Sequence, residues 1–242
     1  TTAYTESVRH SYNLHKLPSC DSLLMSNGQW QVTRYEYPFN FDLYSQYQKM
    51  MDLHIVNPVV NKTITANGIS RTETNEYGIT NNIPYIRKRM TEANDVTRTE
   101  YEVTRTDCYG NPTEIIENGT TSVLVWGGYG QKLIARYINA THSQIRYGLN
   151  LNVDTYSTCS LAGIDYSRLE AIRSLMPFTL SYLYKYDGNM LLRSQTDANG
   201  FTTFYIYDMY DRLRETHFYD DTQTLVRKNI INQYDYHYSN AE

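Results

Sequence analysis

Apolar and polar residues alternate along the C-terminal part of the chain with the two-residue period of a β-strand. In FTTFYIYD, which covers residues 201–208, this alternation assigns four side chains to one strand face: Phe201, Thr203, Tyr205 and Tyr207. The other face carries Thr202, Phe204 and Ile206. Both faces therefore carry apolar bulk, and the pattern predicts a strand within a β-rich protein.

Two segments break this alternation and have the spacing of helices. SRLEAIRSLMP opens with Ser167 and Glu170 at the spacing of a capping box and stops at Pro177. It predicts a helix near residues 168–176, whose apolar face would carry Leu169, Ile172 and Met176. DLYSQYQKMMDLHIV predicts a second helix near residues 43–54, with Asp42 as its cap and an apolar face of Tyr44, Tyr47 and Met51.

The strand pattern is also repeated. YLYKYDGNML, residues 182–191, overlays YIYDMYDRLR, residues 205–214, without a gap and at an offset of 23 residues. The overlay matches Tyr182 with Tyr205, Tyr184 with Tyr207, Gly188 with Asp211 and Met190 with Leu213. Asp197 falls on Asp220 at the same offset. We interpret each copy as one β-hairpin of a short repeat array.

Each hairpin needs a turn residue that tolerates positive φ. Four glycines follow a tyrosine or aspartate in similar six-residue stretches and suit that position: Gly78, Gly110, Gly130 and Gly188. Asp211 is an acceptable substitute because a short polar side chain can reach the left-handed region. A further turn is predicted at DANG, from Asp197 to Gly200, where Asn-Gly separates two strand-like runs.

Together these patterns predict a mainly β fold of antiparallel β-hairpin repeats, forming a curved or partly wound sheet with one or two short helical insertions. Residues 1–100 are predicted as a β-rich region that contains the helix near 43–54. Residues 101–242 are predicted as the hairpin array with the helix near 168–176.

Composition narrows the classes of partner. The 242 residues include 25 tyrosines, which favour half-exposed sheet surfaces, and carry a formal net charge of -4. An acidic balance argues against nucleic-acid binding, which requires a basic surface. No run of about 18 apolar residues occurs, so we expect no membrane span. The three cysteines, Cys20, Cys108 and Cys159, are widely spaced and allow at most one disulfide.

Candidate chemistry is sparse. Four aspartates could be interpreted as the paired carboxylates of a glycosidase, but residues that recur in turns more simply accept backbone hydrogen bonds: Asp208, Asp211, Asp220 and Asp221. The six histidines form no metal-binding motif, although His217 and His237 could lie on neighbouring strands. We therefore expect no catalytic residue, no metal and no cofactor. Three Asn-x-Thr triplets, at Asn61, Asn118 and Asn139, match glycosylation acceptors and are interpreted as chance.

The pattern YxYDxxxRL, with DxxG between copies, resembles the RHS or YD-repeat family. The matching residues are Tyr205, Tyr207, Asp208, Arg212 and Leu213, with Asp197 and Gly200 as the turn between repeats. TTSVLVWGGYGQKLIARYINATHSQI, residues 120–145, also resembles the segment before the last repeats of such proteins in Gram-negative bacteria, and the resemblance covers residues 101–238. Asp211 departs from the family's turn glycine, and no DPxGxxGG motif occurs, so self-cleavage is not carried over.

This resemblance implies a function. The family's long arrays wind into a hollow β-shell that can enclose a toxin or other cargo, and four or five units cannot close one. We expect a non-enzymatic scaffold segment of a larger exported protein, at the cell surface, at the outer membrane or outside the cell. Expected partners are neighbouring repeats, protein cargo and, through sheet edges, further copies. The alternative is a carbohydrate-binding adhesin module, in which tyrosines stack on sugar rings of cell-surface glycans.

Overall fold

A computed structural model describes residues 7–41, 43–150, 152–220 and 227–236. The chain divides into two compact units, Thr1–Gly119 and Thr120–Glu242. The described residues form fifteen strands and four short α-helices, so the predicted mainly β fold is confirmed. Within each unit, every strand is antiparallel to the next strand along the chain.

The first unit is a sheet of eight strands in sequence order. They are β1 (Val8–Tyr12), β2 (Pro18–Leu24), β3 (Trp30–Glu36), β4 (Asn61–Ala66), β5 (Ile69–Thr80), β6 (Ile83–Ala93), β7 (Val96–Thr106) and β8 (Pro112–Glu117). Three hairpins of this unit close through two consecutive residues of positive φ, which is the geometry of a type I′ turn. These pairs are Asn67 and Gly68, Asn81 and Asn82, and Asn94 and Asp95.

Helix α1 (Ser45–Asp52) lies between β3 and β4 and confirms the helix predicted near residues 43–54. Its buried face carries Tyr47 and Met50, which pack with Val60. Tyr44 does not form this face, because it caps the helix before the first turn and remains 56% exposed. Met51 was also predicted on this face, but Met50 takes the buried position instead. The predicted cap Asp42 lies outside the described residues.

The second unit contains seven strands in sequence order. They are β9 (Thr120–Gly127), β10 (Lys132–Ile138), β11 (Leu180–Tyr186), β12 (Leu192–Thr196), β13 (Thr202–Tyr207), β14 (Leu213–Asp220) and β15 (Arg227–Gln233). A helical insertion separates β10 from β11. It contains α2 (His142–Leu149), a 3-10 helix (Val153–Thr158), a short 3-10 turn (Leu161–Gly163), α3 (Tyr166–Glu170) and α4 (Ile172–Leu175).

The helical insertion covers the sheet of the second unit and forms its main core. Leu169 and Ile172 are fully buried against strand residues such as Ile134 and Leu183. Tyr137 is also fully buried, and its hydroxyl donates to the carbonyl oxygen of Leu169 at 2.8 Å. The predicted apolar face is confirmed, since Met176 packs at the edge of the same cluster. The single helix predicted near residues 168–176 is instead two short helices, α3 and α4, divided at Ala171.

The caps of the insertion differ from the prediction. Asp165, rather than Ser167, caps α3, because its carboxylate accepts from the Arg168 N–H at 3.1 Å. The Ser167 hydroxyl donates to the same carboxylate, and this bond is the main reason that the pKa of Asp165 lies below its ordinary value. Helix α2 was not predicted, although Thr141 forms a capping box with Gln144.

No helix in the described ranges is both long and apolar enough to cross a membrane.

Candidate functional site

The repeated feature of the molecule is a five-residue turn that begins with an aspartate or asparagine. In it, one side-chain oxygen accepts the backbone N–H groups two and four residues later, at 2.9–3.1 Å. Two backbone bonds close the turn, one from the first N–H to the fifth carbonyl and one from the fourth N–H to the first carbonyl. We call this arrangement the Asx turn; its first residues are Asn13, Asp107, Asp187, Asp197 and Asp208.

The fourth residue of every Asx turn has positive φ, although its identity varies. The five residues and their φ angles are Lys16 (60°), Gly110 (83°), Met190 (63°), Gly200 (91°) and Asp211 (60°). Three of the five are therefore residues other than glycine, and each adopts the left-handed backbone region at a cost of roughly 1–2 kcal/mol. The bonds to the Asx oxygen hold the backbone in this conformation, so the turn does not depend on glycine.

This geometry corrects the predicted repeat register. Asp187 and Asp208 occupy the same turn position and lie 21 residues apart, not 23. Tyr186 then matches Tyr207, and both hairpins have a register shift just before that tyrosine. The two copies are hairpins of one kind, as predicted. The gap-free overlay slipped by two residues, or one full period of strand alternation, so the tyrosine pattern could not reveal the error.

Two predicted turn glycines do not have the predicted role. Gly188 is the second residue of its Asx turn and lacks positive φ, which Met190 supplies instead. Gly78 lies inside β5, and a Cβ there would meet the Tyr85 ring at 2.8 Å. Gly110 and Gly130 do have positive φ, as predicted. The predicted substitute, Asp211, and the DANG turn through Gly200 are confirmed as well.

Arginines pair with two of the turn aspartates. Arg212 donates from Nε and Nη2 to the Asp208 carboxylate, at 2.8 and 2.5 Å, and this is the main cause that lowers the pKa of Asp208. Arg193 donates from Nε to Asp187 at 2.7 Å. Burial acts to raise the pKa of Asp187, but hydrogen bonds from the Leu191 N–H and Arg193 lower it overall. Both carboxylates therefore have lowered pKa values because of groups in the turn and, for Asp187, in the strand that follows it.

The motif tyrosines lie in the sheet and use their hydroxyls internally. Tyr207 donates to the Leu192 carbonyl at 3.1 Å, and Tyr205 to the side chain of Gln195 at 3.3 Å. Burial raises the pKa of Tyr184, and it raises that of Tyr186 to about 12. These contacts favour sheet building over sugar stacking as the role of the tyrosines.

The remaining motif residues take part in cross-strand pairs. Tyr182 lies opposite Arg136 across β10 and β11. Leu213 pairs with Tyr207, and its carbonyl accepts from the Tyr236 hydroxyl at 2.8 Å. Arg212 lies over the Tyr236 ring at 4.2 Å. The motif residues therefore connect β13 and β14 to each other and to Tyr236, which follows β15.

Arg173 joins the helical insertion to an Asx turn. Its guanidinium donates to three carbonyl oxygens: Ala198 at 2.6 Å, Asp197 at 2.9 Å and Ser181 at 3.1 Å. The first two belong to the turn between β12 and β13, and the third belongs to β11. Sequence reasoning missed Arg173, Arg193 and Asp187. Asp187 follows Tyr186 as Asp208 follows Tyr207, and this Tyr-Asp pair was the sequence signal that could have identified Asp187.

The other candidate chemical groups are not brought together. Asp208 and Asp211 belong to one turn, in which the Asp208 carboxylate accepts turn N–H groups. His237, Asp221 and the side chain of Asp220 lie outside the described residues. His217 is buried, stacks on Phe204 at 5.5 Å between ring centroids, and contacts Glu215 at 2.8 Å. Among the described residues, no three His, Cys, Asp or Glu side chains are grouped to hold a metal ion.

Comparisons with known proteins give structural likenesses only, since no protein-family model and no curated protein sequence matches the chain. The chain is similar to the crystal structure of TcdB2-TccC3-Cdc42, with 13% identity, a TM-score of 0.41 and coverage of 92% of this chain. It is also similar to a Photorhabdus luminescens Tc holotoxin pore, with 12% identity, a TM-score of 0.43 and 94% coverage. The chain spans 12% of the length of each matched chain. The likeness to the YD-repeat family therefore rests on this chain's own motif residues, Tyr207, Asp208 and Arg212.

Proposed function

We propose that this chain is a non-enzymatic structural segment of a larger exported YD-repeat protein. In this role its hairpins contribute to a shell that encloses or displays a cargo such as a toxin, at the cell surface or outside the cell. Neighbouring repeats and the cargo are the partners.

The observation that carries the proposal is the recurrence of the Asx turn in hairpins whose strands follow sequence order. Each strand pairs with the next one, so a unit is added without rearranging those already present. The turn tolerates glycine, lysine, methionine and aspartate at its positive-φ position. Such an array extends by repetition, which is what a shell wall requires.

The chemistry of the motif supports the same role. Asp187 and Asp208 are bonded to turn N–H groups and to arginines, and Tyr207 is bonded to a strand carbonyl. The motif side chains are thus used to fix the backbone, whereas a catalytic pair would converge on a substrate cleft.

The test is protease protection of the cargo. The complete gene product that contains this chain is expressed, and the polypeptide it encodes beyond the repeats is probed with protease. We expect protection in the natural protein and loss of protection when Asp187→Ala and Asp208→Ala are combined, because both turns lose their side-chain acceptors. Asp52→Ala combined with Glu92→Ala is the matched control, because it removes two exposed carboxylates outside the Asx turns at residues that lack positive φ.

Equal digestion of the natural protein and the double variant would contradict the shell role. A gene product with no repeats beyond this chain would contradict it independently. Fractionation of the producing cells checks export separately, since a shell segment retained wholly inside the cell is not an exported one.

A further inference from the structure

The chain contains four Asn-Gly pairs in exposed turns, and their surroundings differ. An Asn-Gly pair can form a succinimide without an enzyme, because glycine leaves its own backbone nitrogen open to attack the neighbouring side chain. The four asparagines are Asn27, Asn67, Asn118 and Asn199. Two properties distinguish them: whether the glycine N–H is hydrogen-bonded, and what contacts the asparagine amide oxygen.

Two of the four glycine nitrogens are held by backbone hydrogen bonds. Gly28 donates to the Met25 carbonyl at 2.9 Å, and Gly200 donates to the Asp197 carbonyl at 3.0 Å. Ring closure at Asn27 or Asn199 would require these turns to open first. Gly68 and Gly119 make no such backbone bond to a described residue.

Asn118 differs from Asn67 in the group that contacts its amide oxygen. The guanidinium of Arg98 donates from Nη2 to Asn118 Oδ1 at 3.3 Å. Asn67 Oδ1 accepts a neutral amide donor, Asn27 Nδ2, at 3.3 Å. A cationic donor polarises the carbonyl and stabilises the negative charge that develops on its oxygen during attack.

The turn at Asn118 also has room to rearrange. Asn118 and Gly119 have φ angles of 48° and 82°, and both residues are exposed. Apart from Gly119 and its two chain neighbours, no heavy atom of the described residues lies within 4 Å of the position where a Cβ of Gly119 would be, and the same holds at Gly68. The backbone can therefore leave its turn geometry without displacing a packed side chain.

We propose that Asn118 is a site of spontaneous deamidation promoted by Arg98. The Gly119 nitrogen bonds to Cγ of Asn118, the bond from Cγ to Nδ2 breaks, and ammonia leaves with the proton of the Gly119 N–H. Water then opens the succinimide at either carbonyl and gives aspartate or isoaspartate. Aspartate places a carboxylate beside Arg98, whereas isoaspartate lengthens the backbone of a two-residue turn.

The experiment follows all four asparagines at once. The purified chain is incubated at neutral and mildly alkaline pH, and peptide mapping by mass spectrometry measures the conversion of each amide to acid over time. We expect Asn118 to react fastest in the folded protein. Arg98→Gln slows Asn118 by about threefold, the size of effect that an exposed charged contact supports. Arg98→Lys, which keeps the charge, slows it less.

Two controls separate the effect of Arg98 from loss of structure. Arg71→Gln removes a cation elsewhere in the same unit and leaves the Asn118 rate unchanged. In denaturant the four sites react at similar rates, and Arg98→Gln has no effect there. Equal rates at Asn67 and Asn118 in the folded chain would overturn the proposal. So would an unchanged Asn118 rate in folded Arg98→Gln, with folding verified by unchanged rates at Asn27 and Asn199.

Discussion

The fourth residue of each Asx turn adopts positive φ, a backbone conformation that residues other than glycine rarely adopt. Lys16, Met190 and Asp211 adopt the same positive φ as Gly110 and Gly200. The side-chain oxygen of the first residue makes this possible, because it binds the N–H groups on either side of the fourth residue. The sequence requirement therefore lies at the first position of the turn rather than at the fourth.

Two glycine substitutions test this assignment. Gly200→Ala lowers the free energy of unfolding by about 1–2 kcal/mol, since alanine at positive φ is strained. Gly188→Ala, in the neighbouring turn, raises it by up to about 1 kcal/mol, because alanine restricts only the unfolded chain there. Apart from Gly188 and its two chain neighbours, no heavy atom of the described residues lies within 4 Å of the Cβ position at Gly188. Urea unfolding measures the free energy of unfolding of both variants. A larger decrease for Gly188→Ala than for Gly200→Ala would mean that Gly188 occupies the positive-φ position, and would support the 23-residue offset.

A second residue-scale prediction concerns the buried turn aspartate, Asp107, which is 4% exposed. Its carboxylate accepts from the N–H groups of Tyr109 and Asn111, both at 2.9 Å. Asp107→Ala removes this acceptor and lowers the free energy of unfolding by about 1–2 kcal/mol. Asp107→Asn costs less because it keeps one acceptor oxygen, as Asn13 does in the equivalent turn. Equal losses for the two variants in urea unfolding would argue against the oxygen as the decisive group.

At the scale of elements, the helical insertion of the second unit is fixed to its sheet in two ways. Its apolar residues form the main core, and Arg173 binds backbone carbonyl groups of β11 and of the Asx turn of Asp197. Arg168 acts within the insertion, where it donates to the carbonyls of Leu149 and Asn150, at the C-terminal end of α2, at 2.7–3.0 Å. The insertion is therefore joined to a repeat turn as well as packed on the sheet.

Removing the Arg173 contact should loosen this junction. Arg173→Ala lowers the free energy of unfolding by about 1.5–3 kcal/mol, the range for hydrogen bonds to a charged group. Hydrogen exchange is expected to rise in α4 and in the turn of Asp197 together. Arg173→Lys, which keeps the charge but has one nitrogen instead of a planar fork, gives a smaller loss. Faster exchange in α4 with an unchanged turn would show that Arg173 does not couple them.

At the scale of the whole molecule, several carboxylates have pKa values below their ordinary range. Hydrogen bonds to His10, Ser167, Arg212 and Lys228 are the main causes at Asp21, Asp165, Asp208 and Glu215 respectively. These groups lie in both units. Each binds its proton more weakly in the folded chain than in the unfolded chain.

Stability is therefore expected to fall in acid. A depressed folded pKa means that the unfolded state binds more protons once the pH approaches the ordinary value, which is 3.8 for aspartate. The contribution is complete above that value and is lost as the pH falls through the folded pKa. Urea unfolding between neutral pH and pH of about 3 measures the slope. Asp208→Asn should make it shallower, whereas an unchanged slope would exclude Asp208 as a contributor.

Much of the architecture followed from local patterns in the sequence. Strand alternation, the helix near residues 168–176 and the positive φ of Asp211 and Gly200 depend on neighbours along the chain, so they could be predicted. Candidate-site residues such as Tyr207, Asp208 and Arg212 were identified because the motif is contiguous. Arg173 was missed because its partners are remote in sequence, at carbonyls 24 and 25 residues away, whereas Asp187 was missed because the overlay was aligned on the wrong tyrosine pair.

The sequence by itself determined that this protein is mainly β, that its C-terminal part repeats and that its turns use aspartate. Only the tertiary structure decided the register of the repeat. A two-residue slip preserves strand alternation, so apolar pattern cannot distinguish an offset of 21 from one of 23. The hydrogen bonds do distinguish the two offsets, because the carboxylates of Asp187 and Asp208 each accept from the N–H groups two and four residues later in their own turns.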